Sequence, residues 1–153
     1  DLVALTGITP HIVIEQLKKY SPLPIVSMLD TTRDYLQANH YHNVLLMGTA
    51  QTLQAKFFQD YLTANGIKVI LPTSQEIDYI GNKIETELEL GQVLPQTQTY
   101  FAEITQRLID SQPVDALILG CTELPLIFRD LPLPVPKVDV MNEHINQLVK
   151  LIS

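Results

Sequence analysis

Short apolar runs alternate with amphipathic stretches along the whole chain. The apolar runs predict strands, and the stretches with helical periodicity predict helices. The run from Val44 to Met47 is continuously apolar, as expected of a strand covered on both faces. Alternating strands and helices are typical of βα units around a parallel sheet, so we predict an α/β fold. The strands are predicted at 1–6, 24–28, 43–48, 67–71, 115–120 and 135–139, and the helices at 10–20, 30–39, 51–65, 75–90, 96–111 and 142–152.

A partial internal repeat divides the chain. Residues 1–7 align with 115–121, and residues 22–25 resemble 132–135, so that Gly7 takes the place of Cys121. Two similar strand and loop units indicate two related lobes that face each other across a cleft. We predict a remnant of a first lobe at 1–40, a complete second lobe at 41–139, and a C-terminal helix at 140–153 that returns toward the first lobe. Because Asp1 lies inside an apolar run, we expect the first lobe to include further residues upstream.

Composition narrows the classes of function. An apolar fraction of 46% is typical of a globular protein. The 17 acidic residues outnumber the 10 basic ones, and a net charge of −7 argues against a nucleic-acid partner. The sequence contains no apolar run long enough to span a bilayer, and a single cysteine cannot form an internal disulfide, so we expect a cytoplasmic protein without a membrane partner. The motifs of phosphate, dinucleotide and zinc sites are not found, so we predict no cofactor and no metal.

Cys121 is the strongest candidate for chemistry. A lone cysteine is more often a small core residue, but this one follows Gly120 at a strand end and precedes a helix start. The positive end of a helix macrodipole favours the thiolate, so we expect a lowered pKa. Ligands of open parallel sheets bind beyond the carboxyl ends of the strands, and a thiolate beside a bound carboxylate can move a proton at the adjacent carbon. Small polar residues follow four of the predicted strands, at 6–11, 48–52, 120–123 and 139–144.

These segments resemble the motifs of the cofactor-independent aspartate/glutamate racemase family, and the aspartate racemase branch above all. Residues 120–125 (Gly-Cys-Thr-Glu-Leu-Pro) are similar to the second cysteine motif of that family. The resemblance extends to three further segments: Thr9-Pro10-His11, Gly48-Thr49 with Thr52, and Asp139 with His144. It implies two pseudo-symmetric lobes, a cysteine from each lobe beside the substrate α-carbon, and no pyridoxal phosphate. Separately, the apolar strand at 1–5 would expose an unpaired edge, so we expect a homo-oligomer, a dimer in the simplest case.

The resemblance also implies roles for individual residues. Cys121 would be the catalytic acid/base of an amino-acid racemase acting on aspartate or glutamate. His11 and His144 would orient or tune the thiol. Thr9 and Thr122 would bind the substrate carboxylate. Thr49, Thr52 and Glu123 would also contact the substrate.

Two departures from the family pattern leave alternatives open. Gly7 stands where the first catalytic cysteine is expected, and the family carries a longer N-terminal segment. Inverting a stereocentre requires an acid on one face and a base on the other, and glycine has no proton to exchange. The alternatives are a lyase or isomerase that uses Cys121 alone, as in the similar arylmalonate decarboxylases, and an inactive truncated paralogue that binds a small acid.

Overall fold

The computed structural model describes all residues 1–153 and contains two parallel sheets. A two-stranded sheet pairs β1 with β2, and a four-stranded sheet has the order β4-β3-β5-β6. The predicted α/β fold with parallel strands is thereby confirmed. The domain boundaries near 40 and 140 stay a prediction. The strands are β1 (Val3–Ala4), β2 (Ile25–Val26), β3 (Asn43–Met47), β4 (Lys68–Ile70), β5 (Ala116–Leu119) and β6 (Lys137–Asp139).

Six helical segments follow the predicted positions, with four changes. The helix predicted at 75–90 ends at Thr86, and a short helix over Leu124–Phe128 was not among the predicted ranges. The helix predicted at 51–65 is split, because Lys56 adopts a left-handed conformation with φ of 61°. The helix predicted at 10–20 begins as a 3-10 turn over Thr9–Val13. None of the helices is long and apolar enough to cross a membrane. They are α1 (Ile14–Tyr20), α2 (Met28–Ala38), α3 (Ala50–Gln54), α4 (Phe57–Ala64), α5 (Ser74–Thr86), α6 (Pro95–Ser111), α7 (Leu124–Phe128) and α8 (Val140–Ile152), with a second 3-10 turn over Leu88–Leu90.

The core lies on both faces of the four-stranded sheet. Side chains alternate along β3, so that Val44 and Leu46 pack into one apolar cluster, and Leu45 and Met47 into another. The first cluster includes residues of α2 and α4, and the second includes residues of α5, α6 and α7. Because both faces of β3 are covered, its apolar run is continuous. A rigid central sheet therefore fixes the strand ends where polar loops begin.

The internal repeat extends to backbone hydrogen bonds and helix caps. In the small sheet the Val3 amide donates to Pro24 O at 2.9 Å, and in the large sheet the Leu117 amide donates to Pro136 O at the same distance. Three residues beyond these prolines, Ser27 caps α2 and Asp139 caps α8. The structural repeat therefore matches residue 24 with 136, not with 134 as the sequence predicted. The register of this second segment was wrong by two residues. Residues 22–25 (Pro-Leu-Pro-Ile) match 132–135 (Pro-Leu-Pro-Val) better in sequence, but the backbone hydrogen bond is made by the third proline, Pro136.

Candidate active site

A cavity of about 150 Å³ lies at the carboxyl ends of the strands. Its wall combines the loop after β1, the first residues of α2 and α8, and the loops after β3 and β5. The predicted catalytic and substrate-binding residues all line it, and His11 and His144 do not. The lining residues are Thr6, Gly7, Ile8, Thr9, Met28, Thr49, Thr52, Gly120, Cys121, Thr122, Glu123, Val140 and Met141.

Gly120 positions the thiol by allowing two backbones to approach closely. Its amide donates a hydrogen bond to Met47 O at 2.7 Å, which extends the pairing of β5 with β3 into the loop. A Cβ at this position would lie 2.9 Å from the same oxygen and 3.1 Å from Leu46 Cδ1. Only glycine fits without a shift of β3, because real Cβ atoms do not approach a backbone oxygen so closely. The next residue, Cys121, is thereby held at the cavity wall.

The Cys121 thiol is protonated and donates its hydrogen to Glu123. The distance from Sγ to Glu123 Oε2 is 2.8 Å. Burial raises the pKa of Cys121, and the adjacent carboxylate raises it further, to about 12. The prediction of a thiolate stabilised by the helix start was wrong. Backbone amides of Glu123 and Leu124 do lower this pKa, but α7 is short, and burial and the carboxylate outweigh them.

Glu123 carries the charge of this site. Burial acts to raise its pKa, but the hydrogen bonds from Cys121 and Thr122 hold the pKa below its ordinary value. The Thr122 hydroxyl donates to Oε1 at 2.6 Å, so each carboxylate oxygen accepts one side-chain hydrogen bond. The resting site is therefore a neutral thiol beside an ionised carboxylate.

Three threonine hydroxyls form a directed chain into the cavity. Thr49 donates to Thr52 at 3.0 Å, and the Thr52 and Thr9 hydroxyls are 2.9 Å apart. Thr52 is buried, and if it accepted from both neighbours its own hydrogen would have no acceptor. The chain therefore runs from Thr49 through Thr52 to Thr9. This direction leaves the Thr9 hydrogen free to donate to a ligand.

His11 is a structural residue beside the site. The Met28 amide donates to Nε2 at 2.9 Å, so the ring hydrogen is on Nδ1, which donates to Gly7 O at 2.9 Å. Burial lowers the pKa of His11, which agrees with this neutral ring. The ring fixes the Gly7 loop onto the start of α2. It makes no hydrogen bond to Cys121.

His144 is buried in the contact between α8 and α2. The Thr31 hydroxyl donates to Ser27 O, so at 3.3 Å it accepts from Nδ1 of His144. The Nε2 atom is buried without a hydrogen-bond partner, and burial lowers the pKa of this histidine. The thiol-tuning roles suggested for His11 and His144 stay predictions, since neither ring contacts Sγ by a hydrogen bond.

Gly7 lines the same cavity without being required there by packing. A Cβ added to it would meet only Pro10 Cδ, at the ordinary contact distance of 3.7 Å. The position therefore has room for a side chain. No three His, Cys, Asp or Glu side chains lie together in a way that could hold a metal ion.

Sequence reasoning missed the apolar part of the wall. Met28 and Val140 each follow a residue that caps a helix, at equivalent points of the repeat. The strands predicted at 24–28 and 135–139 already end at or beside these residues, but only polar side chains at strand ends were considered as site residues. Ile8 and Met141 complete this part of the wall.

Known proteins are similar to this chain in sequence or fold over nearly its whole length. The broad-specificity amino-acid racemase RacX of Bacillus subtilis is 23% identical over 91% of this chain and 59% of its own length. Glutamate racemase of Hydrogenobaculum is 24% identical over 97% of this chain and 58% of its own length. The crystal structure of an aspartate racemase homologue from Pyrococcus horikoshii superposes with a TM-score of 0.90 at 28% identity, over 98% of this chain and 66% of the other.

The chain therefore spans less than two thirds of the length of each of these relatives. The sequence model of the Asp/Glu/Hydantoin racemase family matches residues 1–148. With the parallel strands and the lone cysteine after β5 in place, this match identifies the protein as a member of the Asp/Glu/Hydantoin racemase family.

Proposed function

We propose that this chain carries one proton-transfer half of an amino-acid racemase site, in which Cys121 exchanges a proton with the substrate α-carbon. The observation that supports it best is the thiol on the cavity wall, hydrogen-bonded at 2.8 Å to the Glu123 carboxylate. Family membership supports an amino acid as the substrate. Aspartate or glutamate, a homodimer and a cytoplasmic location stay predictions from the sequence.

The polar wall suits the two charged ends of an amino acid. The free hydrogen of Thr9, at the end of the threonine chain, can donate to the α-carboxylate. Thr122 is less suited to the carboxylate role predicted for it, because its hydroxyl hydrogen already donates to Glu123. Glu123 is the one carboxylate on the wall and can pair with the α-ammonium group.

Substrate binding would prepare the thiol for use as a base. An ammonium group beside Glu123 offsets the negative charge that helps to hold the pKa of Cys121 near 12, so this pKa falls. The thiol first loses its proton to solvent water, and the S–H bond breaks. The thiolate then takes the α-proton: the Cα–H bond breaks, a new S–H bond forms, and the electron pair moves into the carboxylate as an enediolate. Return of the proton from Cys121 to the same face restores the starting stereoisomer.

Racemisation also requires a proton donor on the opposite face, and Gly7 has no side chain to supply one. This observation favours a second candidate, a one-base enzyme that exchanges or delivers a proton on one face only. In both candidates Cys121 is the group that moves the proton, and they differ only in stereochemical outcome.

Exchange in D2O separates these possibilities. The 153-residue chain is incubated with L- and D-amino acids, loss of the α-proton signal is followed by NMR, and the enantiomers are separated by chiral chromatography. We expect α-deuteration with retention, and none in Cys121→Ser, because a hydroxyl is a far weaker acid than a thiol. Exchange at the native rate in Cys121→Ser would exclude the thiol mechanism. Racemisation as fast as exchange would show that another group replaces Gly7.

A further inference from the structure

The charges around the cavity are unbalanced. The chain contains ten Lys and Arg residues, and none of them lines this cavity. Four of them form ion pairs elsewhere, through Lys18, Arg33, Lys83 and Arg107. Among the residues of this chain, the cavity lining therefore has one anion, Glu123, and no cation.

Lys137 and His11 are not available to bind a substrate carboxylate, because backbone groups already occupy their hydrogen-bonding atoms. The Lys137 ammonium donates to three backbone carbonyls at the end of α7, at 2.7, 2.7 and 3.2 Å. His11 is the nearest histidine in sequence to the lining, and its two ring nitrogens are both used by backbone groups. A second carboxylate on a substrate would find no positively charged partner among these residues.

One part of the wall is apolar instead. Met141 is half-buried, Ile8 and Val140 keep 5% and 2% exposure, and Met28 is fully buried, so Met141, Ile8 and Val140 supply the surface that a ligand can contact. Three of these four belong to the first residues of α2 and α8, and Ile8 belongs to the loop after β1. A carboxylate placed against this surface would lose water without gaining a hydrogen bond, which is unfavourable. An aliphatic side chain placed there would be stabilised by burial.

We propose that this site recognises an amino acid with an uncharged aliphatic side chain, such as alanine or methionine, in preference to aspartate or glutamate. The inference rests on the proposed function for the orientation of the substrate. The α-ammonium group pairs with Glu123, the α-carboxylate accepts from Thr9, and the side chain lies against the apolar wall of Ile8, Met28, Val140 and Met141. The net charge of the ligand is then zero beside a wall that already carries one negative charge.

The test compares matched amino acids on the intact 153-residue chain. Exchange of the α-proton in D2O is measured for alanine, methionine, aspartate and glutamate, as both enantiomers. Binding of each is measured separately by shifts of the amide signals of Ile8 and Cys121 in NMR titrations. We expect methionine to exchange and to bind at least about tenfold better than aspartate, because an acidic side chain would remain unpaired. Aspartate exchanging or binding as well as methionine would overturn the inference.

The two proposals fail in different ways. If no amino acid exchanges its proton, the proposed function fails, and the order of binding alone decides the side-chain preference. If none of the four amino acids binds, the preference fails as well. If aspartate alone exchanges, the proposed function stands and the preference is wrong.

A charge placed on the apolar wall gives a matched comparison. Met141→Lys adds a cation at the half-buried lining position, and Met141→Gln adds polarity without charge. We expect the ratio of aspartate to methionine binding to rise about tenfold or more in the lysine variant and to change little in the glutamine variant. An equal change in both variants would show that charge does not set the preference.

Discussion

Burial and Glu123 together raise the pKa of Cys121, and replacing this carboxylate tests its part in the rise. At pH 9 a thiol with a pKa of about 12 is ionised in about one molecule in a thousand, whereas an ordinary thiol of pKa about 8.5 is about three-quarters ionised. Glu123→Gln removes the charge that disfavours the thiolate and keeps the shape of the side chain. Neighbouring charges and hydrogen bonds shift a pKa by about 1 to 3 units. Burial, the largest cause of the raised pKa, remains in this variant, so we expect the pKa of Cys121 to fall by about 1 to 2 units.

The expected change in reactivity follows from the amount of thiolate and its strength as a nucleophile. Each unit of lower pKa gives about ten times more thiolate at pH 9 but makes that thiolate about threefold less nucleophilic. Glu123→Gln should therefore react with an aromatic disulfide reagent about 3 to 10 times faster than the native chain, as followed by absorbance. Glu103→Gln is the matched control, because Glu103 is exposed on α6 and remote from the lining. Equal rates in Glu123→Gln and the native chain would refute the assignment of the thiol proton.

Three further substitutions test the construction of the site. Gly120→Ala should lower the free energy of unfolding, measured by urea titration, by about 1 to 3 kcal/mol, because its Cβ would press on Met47 O. Gly48→Ala is the control and should change it little, since its Cβ would lie at an ordinary 3.5 Å from Gly120 O. Thr52→Val should weaken amino-acid binding in NMR titrations, since the threonine chain is broken; unchanged affinity would contradict the assigned direction. Gly7→Cys should fold normally and convert exchange with retention into racemisation, which chiral chromatography would detect; exchange that still retains configuration would contradict this prediction.

The large sheet could be predicted from the sequence because its strands have strong, unambiguous patterns. The buried runs of β3 and β5 fall within the predicted segments. The small sheet was predicted too long: the segments 1–6 and 24–28 contain strands of only two residues each, because β1 and β2 pair only with each other. Apolar composition indicates burial, but the length of a strand also depends on its neighbours.

The positions of the site residues were easier to predict than their chemical states. Strand ends place Cys121 and the threonines together, and this follows from topology alone. The thiol pKa was predicted in the wrong direction, because the local helix start was weighed without the rotamer of Glu123 or the burial of Sγ. The neutral form of His11 also depends on a bond from Met28, seventeen residues away, which no local pattern indicates.

The repeat has an evolutionary consequence. At the two equivalent loops, a side chain at position 120 would clash with the backbone oxygen of Met47, whereas position 7 has space for one. Substitutions at position 7 therefore cost little folding stability, whereas position 120 accommodates only glycine. Two of the four glycine codons differ from cysteine codons by a single base. Loss or gain of a second acid/base in this lineage is thus a short genetic step, and selection on stability would not oppose it.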